Sequence, residues 1–180
     1  MDWLDEVQSR MKRKNQILFS KNSAYLADLA GLIVAQTHRA TALWAFELAG
    51  EAVCILLEKY PDEHRPSDAL TASKAWAQGK VKMPTAQKAI LNCHTFAKEI
   101  TSPCDIALCH AVGQACGTVH ASGHAIGFPM YELTAIIRQY GVEYCREPVE
   151  KRKAHYITRI KYWGEHYASV PFEWADFMLK

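Results

Sequence analysis

The longest segment without a charged side chain runs from residue 106 to residue 131 and reads IALCHAVGQACGTVHASGHAIGFPMY. In a chain in which 22% of residues are charged, such a gap predicts a segment that has little contact with water. Its glycines, histidines and Pro129 interrupt the apolar residues too often for the ~20 apolar residues that a membrane span needs. A helix that is apolar on every side must be covered on every side. The pattern therefore predicts a central helix, rich in small residues, surrounded by amphipathic helices.

Apolar residues recur at helical spacing through most of the remaining chain. No stretch alternates apolar and polar residues in the manner of a strand, and no Asn-Gly or Asp-Gly hairpin turn is present. We therefore predict a single all-α domain over residues 1–180, a bundle of about eight or nine helices around the central one. The predicted helices span about 2–14, 24–35, 38–60, 67–78, 84–100 and 103–121, a segment that Gly141 stops or bends, and 148–167.

Capping residues and glycines mark the ends of these helices. Ser23, Thr37 and Ser102 are placed to accept hydrogen bonds from the first turn of the helix that follows each of them. Gly79 is predicted to end the helix before it, and the Ser-Gly pair at 122–123 is predicted to break or bend the uncharged segment. The aromatic tail, PFEWADFMLK, is expected to fold back on the body of the protein.

Charge and cysteine content narrow the class of protein. The net charge of +2 creates no strong field for nucleic acid or a membrane, so neither is an expected partner. The N-terminal sequence MDWLDEVQSR lacks the basic start and apolar run of a signal peptide, which predicts a cytoplasmic location. The six cysteines contain no CxxC pair and lie mostly among apolar residues, so we predict buried free thiols.

One candidate site for chemistry is a pair of histidines four residues apart, His120 and His124. On a continuous helix they would share a face, as metal ligands can, and Glu47 and Glu51 have the same spacing on another helix. The glutamate that metalloproteases place directly after the first histidine is absent, and the predicted break between the two histidines weakens the geometry. The preferred interpretation is two buried or half-buried histidines, each hydrogen-bonded within the fold.

A second candidate is the outer face of the last helix, where basic and aromatic residues recur at steps of three and four. Such a stripe could meet an acidic partner, although a solvated helix face is the commoner explanation. The candidate partner-surface residues are Lys151, His155, Arg159, Tyr162 and His166.

Three sequence segments resemble a known family. They read HRATALWAFELAGEAV, YPDEHRPSDALTASKAWAQG and GQACGTVHASGHAIG, and together they cover about residues 38–140. In order and spacing they resemble the immunity proteins of bacterial polymorphic toxin systems, of the five-like class. The resemblance implies a small, cytoplasmic, all-α protein that binds and neutralises a cognate toxin, with no catalytic residue and no cofactor. The C-terminal helix and tail, residues 148–180, lie outside the resemblance.

Several polar residues of these segments have a structural interpretation. Arg65 is expected to anchor its loop through Asp62 or a helix end. Arg39 lies in the first turn of its helix, where the helix dipole disfavours a cation, so a specific acceptor is expected. His110, on the central helix, is also a structural candidate.

The preferred functional hypothesis is a non-enzymatic binding protein that occludes a toxin. The alternative is a metal- or small-ligand-binding bundle, centred on His120 and His124. A further possibility is a structural homodimer joined through the aromatic tail, with Phe172, Trp174 and Phe177 as contacts.

Overall fold

The computed structural model describes residues 2–180 and contains eight α-helices and no strand over that range. The prediction of an all-α bundle is therefore confirmed. The helices are α1 (Trp3–Lys12), α2 (Ala27–Val34), α3 (His38–Lys59), α4 (Arg65–Ala77), α5 (Met83–Glu99), α6 (Pro103–Gly117), α7 (Gly127–Tyr144) and α8 (Arg146–His166). Single turns of 3-10 helix lie at Ala24–Leu26, Ser122–His124 and Asp176–Met178.

Helix α6 is the central element, as the uncharged segment predicted. It packs against α3, α4, α5 and α7, and Ala111 and Ala115 have no exposed surface. Small side chains allow four neighbours to approach one helix, which buries its apolar surface on nearly every side. Only the edge that carries His110 and Gln114 remains partly exposed, and this edge borders the candidate site described below.

Helix α3 forms the other long element of the core. By length and composition alone it could cross a membrane, because its most apolar 18-residue window has a mean hydropathy of 1.6. Within the fold, 67% of that window is buried. A core helix passes the same test of length and composition.

Two of the three predicted caps are confirmed. The hydroxyl of Thr37 accepts a hydrogen bond from the backbone N–H of Ala40, at 3.2 Å, and Ser102 caps α6 in the same way. Ser23 does not cap, because its hydroxyl donates to a carboxylate oxygen of Glu6 at 2.6 Å. The side chain therefore joins α1 to the next segment.

Glycines end or bend the helices at the two predicted places. Gly79 lies just after the end of α4 and has a φ of +73°. Gly141 bends α7 and has a φ of +74°. Side chains are disfavoured at such positive φ values. Helix α7 then continues for one turn beyond the predicted end, and α8 begins two residues before Pro148.

The central helix ends four residues earlier than predicted, at Gly117. The backbone carbonyl of Thr118 accepts a hydrogen bond from Nε2 of His38, at 2.5 Å. The bond links the backbone just after α6 to the start of α3. Residues 118–126 form turns, and His120 and His124 do not lie on one continuous helix.

An ion-pair cluster joins α3, α7 and α8. Arg152 donates to both carboxylate oxygens of Glu132, at 2.7 and 2.9 Å, and to Glu51 at 2.6 Å. The hydroxyl of Tyr156 also donates to Glu132. Glu132 is buried, so these donors satisfy a charge that water does not reach. Glu47 and Glu51 have the spacing of a solvent-facing stripe on α3, but α8 covers this part of that face.

The aromatic tail folds back on the body, as predicted. The backbone N–H of Ala175 donates to the carbonyl of Ala77 at 2.9 Å, and Met178 is only 1% exposed. The ring centroid of Phe177 lies 5.8 Å from that of Trp76, at the end of α4. The tail therefore supports the same end of the molecule as the candidate site.

Candidate functional site

A cleft of about 320 Å³ opens beside the C-terminal end of α6. We call it the histidine cleft, because three imidazoles line it. Its lining also includes aliphatic and amide side chains from α5 and α6. The lining residues are Trp76, Met83, Gln87, Ile90, Leu91, His94, Gly113, Gln114, Gly117, His120 and His124.

Helix α5 provides the aliphatic wall of the cleft. Met83, Gln87, Leu91 and His94 follow one another at steps of four, four and three, which places them on one helix face. Met83 is 43% exposed and Leu91 is 57% exposed. These apolar side chains therefore remain open to solvent, although the other apolar residues of α5 pack inward.

Glycines of α6 allow the imidazoles to lie against its backbone. A Cβ atom added to Gly113 would lie 2.4 Å from Cε1 of His94, closer than real contacts allow. A Cβ atom at Gly117 would lie 3.3 Å from Cγ of His124. These two glycines therefore make room for side chains of the cleft.

His94 forms a pair with His110. Their Nδ1 atoms are 2.8 Å apart and their rings stack at 5.0 Å, so one imidazole donates a hydrogen bond to the other. Burial lowers the pKa of His94, and His110 and Lys98 add to this effect. Burial, with a smaller effect of Lys98, also lowers the pKa of His110. The pair is therefore expected to be neutral at pH 7.

His120 and His124 reach the cleft from the turns after α6. The ring of His120 stacks on Trp76, with centroids 6.3 Å apart and planes 22° apart. Nδ1 of His124 lies 3.3 Å from the side-chain oxygen of Gln114. Both histidines are exposed, so the interpretation of two buried or half-buried imidazoles is wrong. The early end of α6 explains the difference, because it places them in turns at the surface.

The structure does not bring the predicted metal ligands His120, His124, Glu47 and Glu51 together. The two carboxylates are engaged by α8 instead, Glu47 by Nε of Arg159 at 2.7 Å and Glu51 by Arg152. In the described chain, residues 2–180, no group of three or more His, Cys, Asp or Glu side chains is placed to hold a metal ion.

The candidate partner-surface residues of α8 point in two directions, some toward α3 and some toward solvent. Arg159 pairs with Glu47, and Nε2 of His155 lies 3.3 Å from a carboxylate oxygen of Glu51. Both side chains therefore face α3. Lys151 and Tyr162 remain exposed, and Tyr162 stacks on His166 with ring centroids 4.3 Å apart.

The polar candidates Arg39 and Arg65 lie in the first turns of α3 and α4 and have partners other than those expected. Arg65 binds Glu63, with Nε–Oε1 at 2.8 Å, and Glu99, with Nη1–Oε1 at 2.9 Å, while Asp62 stays exposed. The guanidinium of Arg39 lies 5.1 Å above the ring centroid of Tyr167. An aromatic face, not the expected hydrogen-bond acceptor, is therefore the contact that Arg39 makes.

Sequence reasoning missed His94, which lines the cleft and also pairs with the half-buried His110. As a lone histidine on an amphipathic helix, it carried no motif. The available signal was its step of three from Leu91 and seven from Gln87, which places it on the exposed apolar face of α5.

The chain matches a family model described as "Imm-5 like putative immunity protein", over residues 31–159. The match covers well over half of the 180 residues. The chain belongs to this family. The matched region contains α3 to α7 and most of α8, and therefore the whole histidine cleft. Helix α8 was expected to lie outside the resemblance, but the family match includes it up to Arg159. No curated protein and no solved structure matches the chain.

Proposed function

We propose that the protein is an immunity protein that binds a cognate toxin domain and neutralises it by covering the toxin's functional surface. The family match over residues 31–159 carries this proposal. The resemblance of the central segments to immunity proteins of polymorphic toxin systems supports it. In this proposal the protein acts by binding alone and catalyses no reaction.

Surface features support a binding role. A stable protein complex covers roughly 800 Å² on each partner and is anchored by a few well-placed apolar or aromatic side chains. The histidine cleft offers exposed Met83 and Leu91 beside Trp76, in a fold whose other large apolar residues are mostly buried. Such a concave surface is able to receive a side chain from a partner.

Cytoplasmic action is part of the proposal. All six cysteines are free, and four of them are buried in the described structure. Free thiols are typical of proteins that work in a reducing compartment. An immunity protein of this kind would meet its toxin after the toxin enters, or is made in, the same cell.

Co-expression with a candidate toxin tests the proposal. The probe is a candidate toxin domain, sought among the genes that neighbour the one for this chain, and it is induced separately in a host that it kills. We expect this protein to restore growth and to form a complex with the purified toxin that survives gel filtration. A toxin domain that remains lethal and unbound in the presence of folded protein contradicts the proposal.

A second candidate function is a metal- or small-ligand-binding bundle. The observation that favours its small-ligand form is that His94, His120 and His124 line one cleft, with His110 behind them, although in residues 2–180 no three such side chains are placed to hold one metal ion. Elemental analysis of protein purified without added metal tests this function. A stoichiometric transition metal that is lost in the His120→Ala variant supports it, and a metal-free protein excludes the metal-binding form.

A further inference from the structure

Residues 69–98 form a stretch of the sequence whose positive charge is not offset by any acidic residue within the stretch. This stretch contains five lysines and no aspartate or glutamate. All five lysines are exposed, and none has its ammonium group within 4.0 Å of a carboxylate in residues 2–180. The five are Lys74, Lys80, Lys82, Lys88 and Lys98.

The cations of α8 differ in this respect. Arg146 pairs with Asp2, Lys153 pairs with Asp28 at 2.8 Å, and the guanidinium of Arg159 pairs with Glu47. Internal carboxylates thus neutralise most of the positive charge on α8. The lysines around α5 have no such partners, so their charge is available to another molecule.

Three of the unpaired lysines lie along the helix that walls the histidine cleft. Lys82 directly precedes Met83, and Lys88 lies one residue after Gln87. Lys98 lies four residues after His94, on the same helix face, and its charge contributes to the lowered pKa values of the half-buried pair. The helix that forms the aliphatic wall of the cleft is therefore accompanied by three unpaired positive charges outside the lining itself, at Lys82, Lys88 and Lys98, which we call the lysine rim.

We propose that the histidine cleft and its lysine rim form the surface on which the toxin docks. The occupant is an acidic protein segment that places one apolar side chain between Met83 and Leu91. Its carboxylates lie against Lys82, Lys88 and Lys98. This inference rests on the proposed function, and it specifies the chemistry of the partner and the face of the fold that receives it.

The composition of the cleft favours a protein segment over a nucleic acid. Exposed Leu91 and Met83 offer apolar area, which a protein side chain can bury and a phosphate backbone cannot. Nucleic-acid surfaces combine basic residues with aromatic platforms, whereas the only aromatic residue in the cleft besides its imidazoles is Trp76, which is buried. A preference for oligonucleotide is therefore an outcome that would overturn the inference.

Peptide binding to the full chain tests the surface without the toxin. The probe is a short acidic peptide with a central leucine. Its binding is monitored through the imidazole and backbone NMR signals of the ¹⁵N-labelled protein. The controls are the same peptide with serine in place of leucine, a lysine-containing version, and a single-stranded oligonucleotide. We expect the acidic leucine peptide to shift the signals of His94, His120 and His124, and to bind more weakly as salt is added. Absence of these shifts, or stronger binding of the oligonucleotide, overturns the inference.

Charge reversal locates the surface. The test variant carries Lys82→Glu, Lys88→Glu and Lys98→Glu. The matched control carries Lys12→Glu, Lys21→Glu and Lys161→Glu, which change the net charge equally at exposed positions. Because three attractions become repulsions, we expect the test variant to bind the peptide at least about tenfold more weakly than the control.

The same two variants separate this inference from the proposed function. If the wild-type chain and the control protect cells from the toxin and the test variant does not, both proposals are supported. If all three protect equally, or if only the control loses protection, the docking surface is wrong and the immunity function stands. If the wild-type chain does not protect, the immunity function fails, and peptide binding alone then decides whether the cleft takes acidic segments.

Discussion

Gly113 and His94 form the contact on which the inner wall of the cleft depends. An alanine at position 113 would place Cβ 2.4 Å from Cε1 of His94 and would displace the ring. Overpacking of this kind costs about 1–3 kcal/mol, while alanine gains about 1 kcal/mol over glycine in a helix. We expect Gly113→Ala to lower the free energy of unfolding by about 1 kcal/mol.

The matched control for this substitution is the same change in a His94→Ala background. There the ring is absent, so we expect Gly113→Ala to raise the free energy of unfolding by about 1 kcal/mol. Urea denaturation of the four proteins measures both effects. An equal gain in both backgrounds would show that the ring of His94 does not lie over Gly113.

The half-buried imidazoles predict a pH dependence of stability. In the unfolded chain His94 and His110 titrate near 6.5, and burial lowers the pKa of each in the fold. Below pH 6.5 the unfolded chain therefore binds more protons than the fold does, and stability falls as the pH is lowered. Above pH 6.5 the neutral histidine pair makes its full contribution to the free energy of unfolding. We expect a His94→Gln, His110→Gln variant to lose less stability than the wild type between pH 7 and pH 5, as measured by urea denaturation.

At the scale of elements, the cluster of Arg152, Glu132 and Glu51 joins three helices, α8, α7 and α3. Burial raises the pKa of Glu132, and the charge of Arg152 opposes this effect. Removing one partner of a buried ion pair costs about 3–5 kcal/mol, because it leaves a charge without a counter-ion. We expect Arg152→Met to lower the free energy of unfolding by about this amount at pH 7.

The pH and a second substitution test the cause of this loss. Without Arg152 the pKa of Glu132 should rise further, so the fold of the variant is favoured when that carboxyl is protonated. The deficit should therefore shrink as the pH falls toward 4.5 and grow as the pH rises through the folded pKa. Adding Glu132→Leu removes the unpaired charge and should restore part of the stability at pH 7. A deficit that is independent of both changes would contradict an electrostatic origin.

The limits of sequence reasoning also appear at this scale. Caps such as Thr37 and stops such as Gly79 act on their own neighbours, so the sequence predicted most helix bounds within a few residues. The side of a helix that another helix covers depends on tertiary packing. Glu47 and Glu51 have the spacing of a solvent stripe, and nothing local indicates that Arg159 and Arg152 meet them.

The candidate site was harder to predict than the fold for a related reason. The histidine cleft combines α5, the edge of α6 and the turns after it, which are consecutive in sequence but form a cleft only through their packing in three dimensions. The spacing of His120 and His124 suggested one helix face, but α6 ends at Gly117, before both of them. His94, which completes the cleft, had no neighbouring motif at all.

At the scale of the whole molecule, the tail links the C-terminus to the cleft. Phe177 packs on Trp76, and Trp76 stacks on His120, so three rings connect the last residues to the lining of the site. Met178 is 1% exposed and fills the core beneath them. Truncating a buried methionine to alanine costs about 2–5 kcal/mol, so we expect a large loss of stability from Met178→Ala.

Light scattering and urea denaturation of the Met178→Ala variant test whether this tail serves its own chain or a second copy. If the tail supports only its own body, the loss of stability is independent of protein concentration and the mass in solution is unchanged. If the tail instead joins two chains, the midpoint of unfolding rises with protein concentration in the wild type and the substitution lowers the mass. The matched control is Leu179→Ala, one residue away and 52% exposed, which should change neither measurement. Because Phe177 and Trp76 connect this core position to His120, the Met178→Ala variant should also shift the imidazole signals of His120, and Leu179→Ala should not.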